Sequence, residues 1–346
     1  EVVSQVQINN KPIRFVRNTS KDKAANEWKD SCVDHLAGEG LPEDRKRLKR
    51  ALVAHTVRIG SVLSYKVNDA WSSLIEYDCV IVDEASQVLE SDLIHIVGNS
   101  KKFVLVGDVN QLPAITSVSS EEELIPSTLQ NNLGIKSFSS SYFERMYHLA
   151  MRNGWTHAFG NLTTQGRMHE KIMDLANLLF YDNEMEVVDP DVQCAPIETI
   201  KNPENEIEGY LAKQNALFFN CLGEANNSKS SEKEANLVVD IIEGLVRLYS
   251  PDNKTVFIKN FIGVITPFRA QKALVSNLLQ KRLSISNEDL PLVDTVESFQ
   301  GSQRRYIIYT TAIGIVEQLD NISSISEESG VDRKLDVVIT RAEQQL

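Results

Sequence analysis

The chain has 346 residues, 42% apolar and 24% charged, which at roughly 150 residues per domain suggests two domains of ordinary globular composition and excludes a disordered or collagen-like chain. The formal charge of −12 excludes a basic coat for nucleic acid, though not a local basic groove. No apolar run reaches the roughly 18 residues of a transmembrane helix, and Glu1-Val2-Val3-Ser4-Gln5 lacks the basic region and apolar core of a signal peptide.

Residues 12–17 resemble a strand. Arg45-Lys46-Arg47-Leu48-Lys49-Arg50 is the most basic segment, and such runs are more often a solvated helix face than a nucleic-acid contact. Short apolar runs then end repeatedly in small or polar residues. Cys79-Val80-Ile81-Val82 leads to Asp83-Glu84, and Phe103-Val104-Leu105-Val106 to Gly107-Asp108. Ile262-Gly263-Val264-Ile265 leads to Thr266-Pro267, Tyr306-Ile307-Ile308-Tyr309 to Thr310-Thr311, and residues 335–339 to Thr340-Arg341. These runs read as parallel strands buried on both faces. In such sheets ligands sit beyond the carboxyl ends of the strands, so the polar residues there are site candidates by position.

Helical stripes lie between the strands. One comprises Ile172, Leu175, Ala176 and Leu179. Another comprises Leu237, Val238, Ile241, Ile242, Leu245 and Val246, and opens with a capping-box pattern at Ser231 and Glu234. Alternating strands and helices predict an α/β fold with parallel sheets flanked by helices. Residues 117–127, 189–215, 223–231 and 323–330 read as polar loops. A domain boundary is expected near residues 150–162. Cys32, Cys79, Cys194 and Cys221 form no Cys-x-x-Cys pair, and no zinc spacing is present, so the expectation is a reduced, cytoplasmic protein with mostly buried thiols.

Asp83-Glu84 is the sharpest local signal. The first carboxylate at a strand end can hold Mg²⁺ through its water shell, and the second can take a proton from an attacking water. An acidic pair capping the next helix is the plainer alternative. Gly107-Asp108-Val109-Asn110-Gln111 places an amide where it could sense a phosphate, or is an ordinary turn. Arg167 and Arg341 each read singly as surface ion pairs. Together they could neutralise the charge that phosphoryl transfer spreads over oxygen.

The ordered series is more specific than its parts. Asp-Glu-Ala-Ser-Gln at 83–87, Gly-Asp-x-x-Gln-Leu-Pro at 107–113, Gln-x-Arg-Met-His at 165–169, Ile-Thr-Pro-Phe-Arg-Ala-Gln at 265–271, Glu-Ser-Phe-Gln-Gly at 297–301 and Val-Ile-Thr-Arg-Ala at 338–342 resemble the superfamily 1 helicases. The resemblance is to the branch that includes the nonsense-mediated-decay RNA helicase and its DNA-translocating relatives, and it covers about residues 12–346. It implies two RecA-like P-loop NTPase domains, a partial first one at 1–157 and a second at 158–346. ATP and Mg²⁺ are expected between them, and single-stranded DNA or RNA is the expected partner, with no membrane.

The resemblance also implies roles. Asp83 is the metal residue, Glu84 the water-activating base and Gln111 the γ-phosphate sensor, while Arg167 and Arg341 contact phosphate. Gln165, Gly301 and Gln303 are expected near the nucleotide. Thr56, Thr266, Pro267 and Arg269 are expected to face nucleic acid, and Thr295 and Ser298 to couple nucleotide state to strand grip. The chain departs from the usual pattern at Gly166, where relatives carry an aromatic, at Glu170, where they carry a proline, and at Gln303, where they carry glutamate. No Gly-x-x-x-x-Gly-Lys-Ser/Thr loop occurs in the chain. The expectation is therefore a fragment of a longer helicase. The alternative is a homologue without that loop, acting as a catalytically silent nucleic-acid-binding or scaffold protein. The motor motifs do not distinguish RNA from DNA.

Overall fold

A computed structural model describes residues 7–8, 11–12, 15–17, 32, 46, 49–50, 52–67, 75–114, 125–135, 141–221, 229–250, 253–326 and 329–346. The chain divides into two compact units. Unit 1 comprises residues 1–109 and 113–159, and unit 2 comprises 110–112 and 160–346. The basic run at 45–50 and the loops at 117–127, 223–231 and 323–330 lie partly outside the described residues.

In unit 1 the strands are short and paired. β1 (Gln7–Ile8) runs antiparallel to β2 (Lys11–Pro12), β3 (Phe15–Arg17) is parallel to β4 (Val57–Ile59), and β5 (Val80–Val82) is parallel to β6 (Phe103–Leu105). Helices α1 (Glu90–Gly98) and α2 (Tyr142–Asn153) cover one face of the β5–β6 pair, where Val82, Ala85, Leu93, Val97 and Tyr142 form a core. On the other face Ile81 is 70% exposed and its partner Val104 is also exposed. These two strands are therefore buried on one face rather than both. Helix α2 begins where the Ser141 hydroxyl accepts the Glu144 N–H, and ends at Gly154 in the left-handed region. Arg145 grips both carboxylate oxygens of Glu90 through Nε and Nη2, tying α2 to α1.

Unit 2 contains a four-stranded parallel sheet in the order β10–β9–β11–β12, with β9 at Ile262–Ile265, β10 at Leu292–Asp294, β11 at Arg304–Tyr309 and β12 at Ala342–Gln345. A small parallel pair, β7 (Thr164–Gln165) and β8 (Glu186–Val187), precedes it. Alternate side chains of β11 enter opposite cores, as the two-residue strand period requires. Tyr306 and Ile308 face one core, together with helices α6 (Glu232–Tyr249), α7 (Lys254–Phe261) and α8 (Arg269–Leu283). Ile307 and Tyr309 face the other, with α3 (Glu170–Phe180), α9 (Val296–Phe299) and α10 (Arg333–Ile339). Two further short helices, α4 (Pro190–Gln193) and α5 (Glu206–Leu211), lie in the stretch read as a polar loop.

Three expectations are corrected. Residues 335–339 belong to helix α10 and not to a strand. The Asp332 carboxylate accepts the N–H groups of Lys334 and Leu335, which caps a helix through an apolar, β-branched sequence. The last strand starts only at Ala342, so Thr340-Arg341 joins a helix to a strand. The capping box at 231–234 is half formed. The Ser231 hydroxyl accepts the Glu234 N–H, but the Ser231 N–H goes to Gln271. Glu234 accepts instead from the Thr310 hydroxyl and the Ala312 N–H. Among the thiols only Cys32 is buried, while Cys79 is exposed and Cys194 and Cys221 partly so. Among the described residues no helix is long and apolar enough to cross a membrane.

Candidate functional site

In unit 1, Asp83 and Glu84 stand exposed just past the carboxyl end of β5. The Glu84 backbone is left-handed, at φ 52° and ψ 38°. A non-glycine residue there carries strain of order 1–3 kcal/mol, a feature concentrated at functional positions. Two side-chain bonds help hold the turn: the Glu84 N–H donates to Asp83 Oδ1 at 3.0 Å, and Gln87 Nε2 donates to Glu84 Oε2 at 2.9 Å. The turn also packs on the second motif. A Cβ added to Gly107 would stand 3.1 Å from the Ser86 nitrogen and 3.2 Å from the Phe143 ring, so the absence of a side chain at Gly107 lets the two segments meet. Thr56 lies exposed immediately before β4.

In unit 2, residues distant in sequence converge on the turn after β7. Gln165 folds back over it: its Oε1 accepts the N–H groups of Arg167 at 2.9 Å and Met168 at 2.7 Å, and its Nε2 donates to the Met168 carbonyl. Arg167 is exposed, but its guanidinium is tethered. Nε donates to Gln303 Oε1 at 2.6 Å and Nη1 to the Thr340 carbonyl at 3.1 Å. Gln303 thus reaches the arginine through a neutral amide, and its neighbour Gly301 holds φ at +78°. Arg341 is buried, with Nε donating to the Val337 carbonyl at 3.2 Å, and Nη2 to Thr340 Oγ1 at 3.2 Å and Gln111 Oε1 at 3.5 Å. A cation at the carboxyl end of α10 also suits the helix dipole.

The unit 2 residues expected to face nucleic acid lie at the carboxyl ends of β9 and β10, in varied environments. Thr266 is fully buried, Pro267 is half-buried, and Arg269 is exposed at the first position of α8. Thr295 and the exposed Ser298 share a hydroxyl contact of 3.4 Å. Asp294 is bonded to Lys272 at 3.0 Å and accepts the Thr295 N–H. Partial burial raises its pKa, but the bonds from Lys272, Thr295 and Ser298 outweigh this, and the carboxyl stays below its ordinary value.

An AAA domain family matches residues 138–346, more than half the chain, and a second AAA domain family matches residues 8–119. An uncharacterized ATP-dependent helicase, MJ0104 of Methanocaldococcus jannaschii, is 28% identical over 322 residues, covering 88% of this chain and 40% of the relative. The DNA replication ATP-dependent helicase/nuclease DNA2 of Bos taurus is 28% identical, covering 78% of this chain and 24% of that protein. Regulator of nonsense transcripts 1 of Dictyostelium discoideum is 25% identical, covering 87% of this chain and 21% of that protein. The chain belongs to the AAA-domain superfamily 1 helicases. It falls in the branch of the nonsense-transcript regulator and Sen1, and it spans less than half the length of these curated relatives.

The donors of this helicase chain suit a magnesium nucleotide. Asp83 and Glu84 present hard, exposed oxygens, and Mg²⁺ takes one or two protein carboxylates together with water and phosphate oxygens. Among the described residues no group of three or more His, Cys, Asp or Glu stands together to hold a metal. Arg167 offers an exposed guanidinium whose Nη2 has no protein partner among the described residues. Sequence reasoning missed Gln193. This buried amide bonds only to backbone, and no periodicity or motif marks it.

Proposed function

We propose that this chain is motor machinery of an ATP-dependent helicase or translocase that moves along single-stranded DNA or RNA. The observation that carries the reading is the state of Arg167. A helicase arginine stands exposed and is fixed through Nε and Nη1, with Nη2 left to meet an anion.

Bound Mg²⁺ would neutralise phosphate charge and orient the nucleotide for attack by water. Asp83 would hold that ion through its water shell, and Glu84 takes a proton from the attacking water. The left-handed backbone and the Gln87 bond fix the Glu84 carboxylate before substrate arrives. Gln111 reads the presence of the terminal phosphate. Arg167 and Arg341 stabilise charge developing on the phosphoryl oxygens, and Gln165 and Gln303 keep Arg167 in place. Thr56, Pro267, Arg269, Thr295 and Ser298 are the proposed contacts to the strand backbone. The buried Thr266 supports that surface through its own backbone.

The test is Glu84→Gln in the full-length protein. The amide keeps the size and polarity of the carboxylate but cannot accept the proton. Strand-stimulated ATP hydrolysis is expected to fall by about 10²–10⁴-fold, the usual worth of a positioned base, with nucleotide binding retained. Undiminished hydrolysis would overturn the assignment. Absence of hydrolysis in the wild-type protein, with either DNA or RNA, would favour a silent binding or scaffold role.

A further inference from the structure

The turn bearing Arg167 is fixed from underneath by a residue no motif contains. Gln193 ends the four-residue helix α4, and only 4% of it is exposed. Its Oε1 accepts the N–H groups of Val188 at 3.1 Å and Asp189 at 3.0 Å. Its Nε2 donates to the carbonyls of Gln165 at 3.0 Å and Met168 at 2.8 Å. A primary amide has two donors and two acceptor lone pairs, so Gln193 is fully used, and every partner is backbone.

The two carbonyls it holds bracket the turn at its first and last residues, and Arg167 is the one charged side chain between them. The other two partners belong to the segment on which the turn rests. A second feature shows how closely the turn is seated there: a Cβ on Gly166 would come within 3.1 Å of Val188 Cγ1. The tip of Arg167 is held separately, by Gln303 and the Thr340 carbonyl. Base and tip of the side chain are thus set by different parts of unit 2.

We propose that Gln193 is a positioning residue for Arg167, acting by clamping the 165–168 turn onto residues 188–189. The proposal rests on Arg167 acting at the phosphates, and the experiment separates the two. Without the clamp the Gln165 carbonyl keeps only the Val188 N–H and the Met168 carbonyl only Gln165 Nε2, the turn relaxes, and the guanidinium shifts. A displacement of about 1 Å can cost on the order of 10²-fold in rate.

The experiment is a double-mutant cycle in the full-length protein, reading ATP turnover with single-stranded DNA or RNA. Gln193→Leu is expected to lower kcat by about 10–100-fold while KM for ATP changes less than about 3-fold. In an Arg167→Ala background the same substitution is expected to change kcat by less than about 2-fold, because residues acting as a unit are non-additive. Gln193→Glu keeps the acceptor toward Val188 and Asp189 but meets the two carbonyls with oxygen. It is expected to follow Gln193→Leu, and it serves if the leucine variant fails to fold. Hydrogen exchange across residues 232–249 should match wild type in whichever variant is scored. An unchanged kcat in a folded variant overturns the proposal, as does an equal loss in both backgrounds. Wild-type turnover by Arg167→Ala alone would instead overturn the reading of the arginine, and the clamp's role would fall with it.

Discussion

Gly263→Ala tests whether the sheet of unit 2 is packed as tightly as its side chains suggest. Gly263 lies on β9, paired to Leu292 on one side and Ile307 on the other. A Cβ there would stand 2.8 Å from Ile307 Cδ1, and 2.9 Å and 3.0 Å from two carbons of the Phe299 ring. Carbon atoms prefer about 3.5–4.0 Å, so the neighbours would have to retreat by roughly 0.5–1 Å. Neither has room, since Phe299 is 0% and Ile307 2% exposed. The Ile307 terminus can rotate, but the Phe299 ring, carried by the last residue of α9, is enclosed in the core. Overpacking of this kind costs about 1–3 kcal/mol. At about 2–4 °C per kcal/mol for a unit of this size, the melting temperature of unit 2 should fall by about 2–12 °C. All three tryptophans precede residue 160, so their emission is a poor reporter of unit 2. The assay is a circular dichroism melt, with hydrogen exchange followed at 262–265 and 304–309. Gly209→Ala in α5 is the control, because a Cβ there meets nothing within 4 Å; it should stabilise by about 0.4–1 kcal/mol through the unfolded chain. A melt for Gly263→Ala indistinguishable from wild type would refute the packing argument.

Two further outcomes follow from charged groups in unit 2. Arg247→Ala removes the partner of Glu208, a carboxylate only 4% exposed that otherwise keeps the Glu204 N–H. Stranding a buried charge costs about 3–5 kcal/mol, and a urea midpoint within error of wild type would contradict the burial. Asp294 titrates below its ordinary value of 3.8, so it stabilises the fold above that pH, and the contribution is lost as pH falls through the depressed value. Between about pH 5 and pH 2, wild type should therefore lose more melting temperature than Asp294→Asn, and parallel slopes would show that the Lys272 pair contributes nothing.

The strands of this chain were legible wherever an apolar run met a small or polar residue. β5, β6, β9 and β11 all follow that rule, because a strand inside a parallel sheet has little use for polar side chains. The same rule failed at residues 335–339. Leu-Asp-Val-Val-Ile has strand composition, and only the cap supplied by Asp332 turns it into helix α10. The carboxyl-end positions of Asp83, Glu84 and Thr266 could be anticipated from the runs before them. The burial of Thr266 could not, because it depends on what the tertiary fold lays over the strand end. Glu234 looked like half of a capping box, and its bonds to Thr310 and Ala312 depend on a strand end 76 residues later. Gln193 was illegible for a similar reason. Its partners are main-chain atoms of residues 165 and 168, whose identities leave no imprint on the residue that binds them.

The left-handed backbone of Glu84 has a consequence for how this chain can change over time. Glycine, and to a lesser degree asparagine, occupies that conformation with less strain than glutamate. Substitutions that abolish the carboxylate there would leave the fold undamaged or slightly steadier. Loss of the chemistry at this position is thus a downhill step for the fold, and only continued demand for the carboxylate opposes it. A lineage released from that demand would be expected to shed Glu84 early, while Gly107, which the fold requires for close approach to Ser86, would persist. The pair of positions therefore tests the proposed role: if Glu84 is the base, relatives that keep the reaction should keep both the glutamate and the glycine.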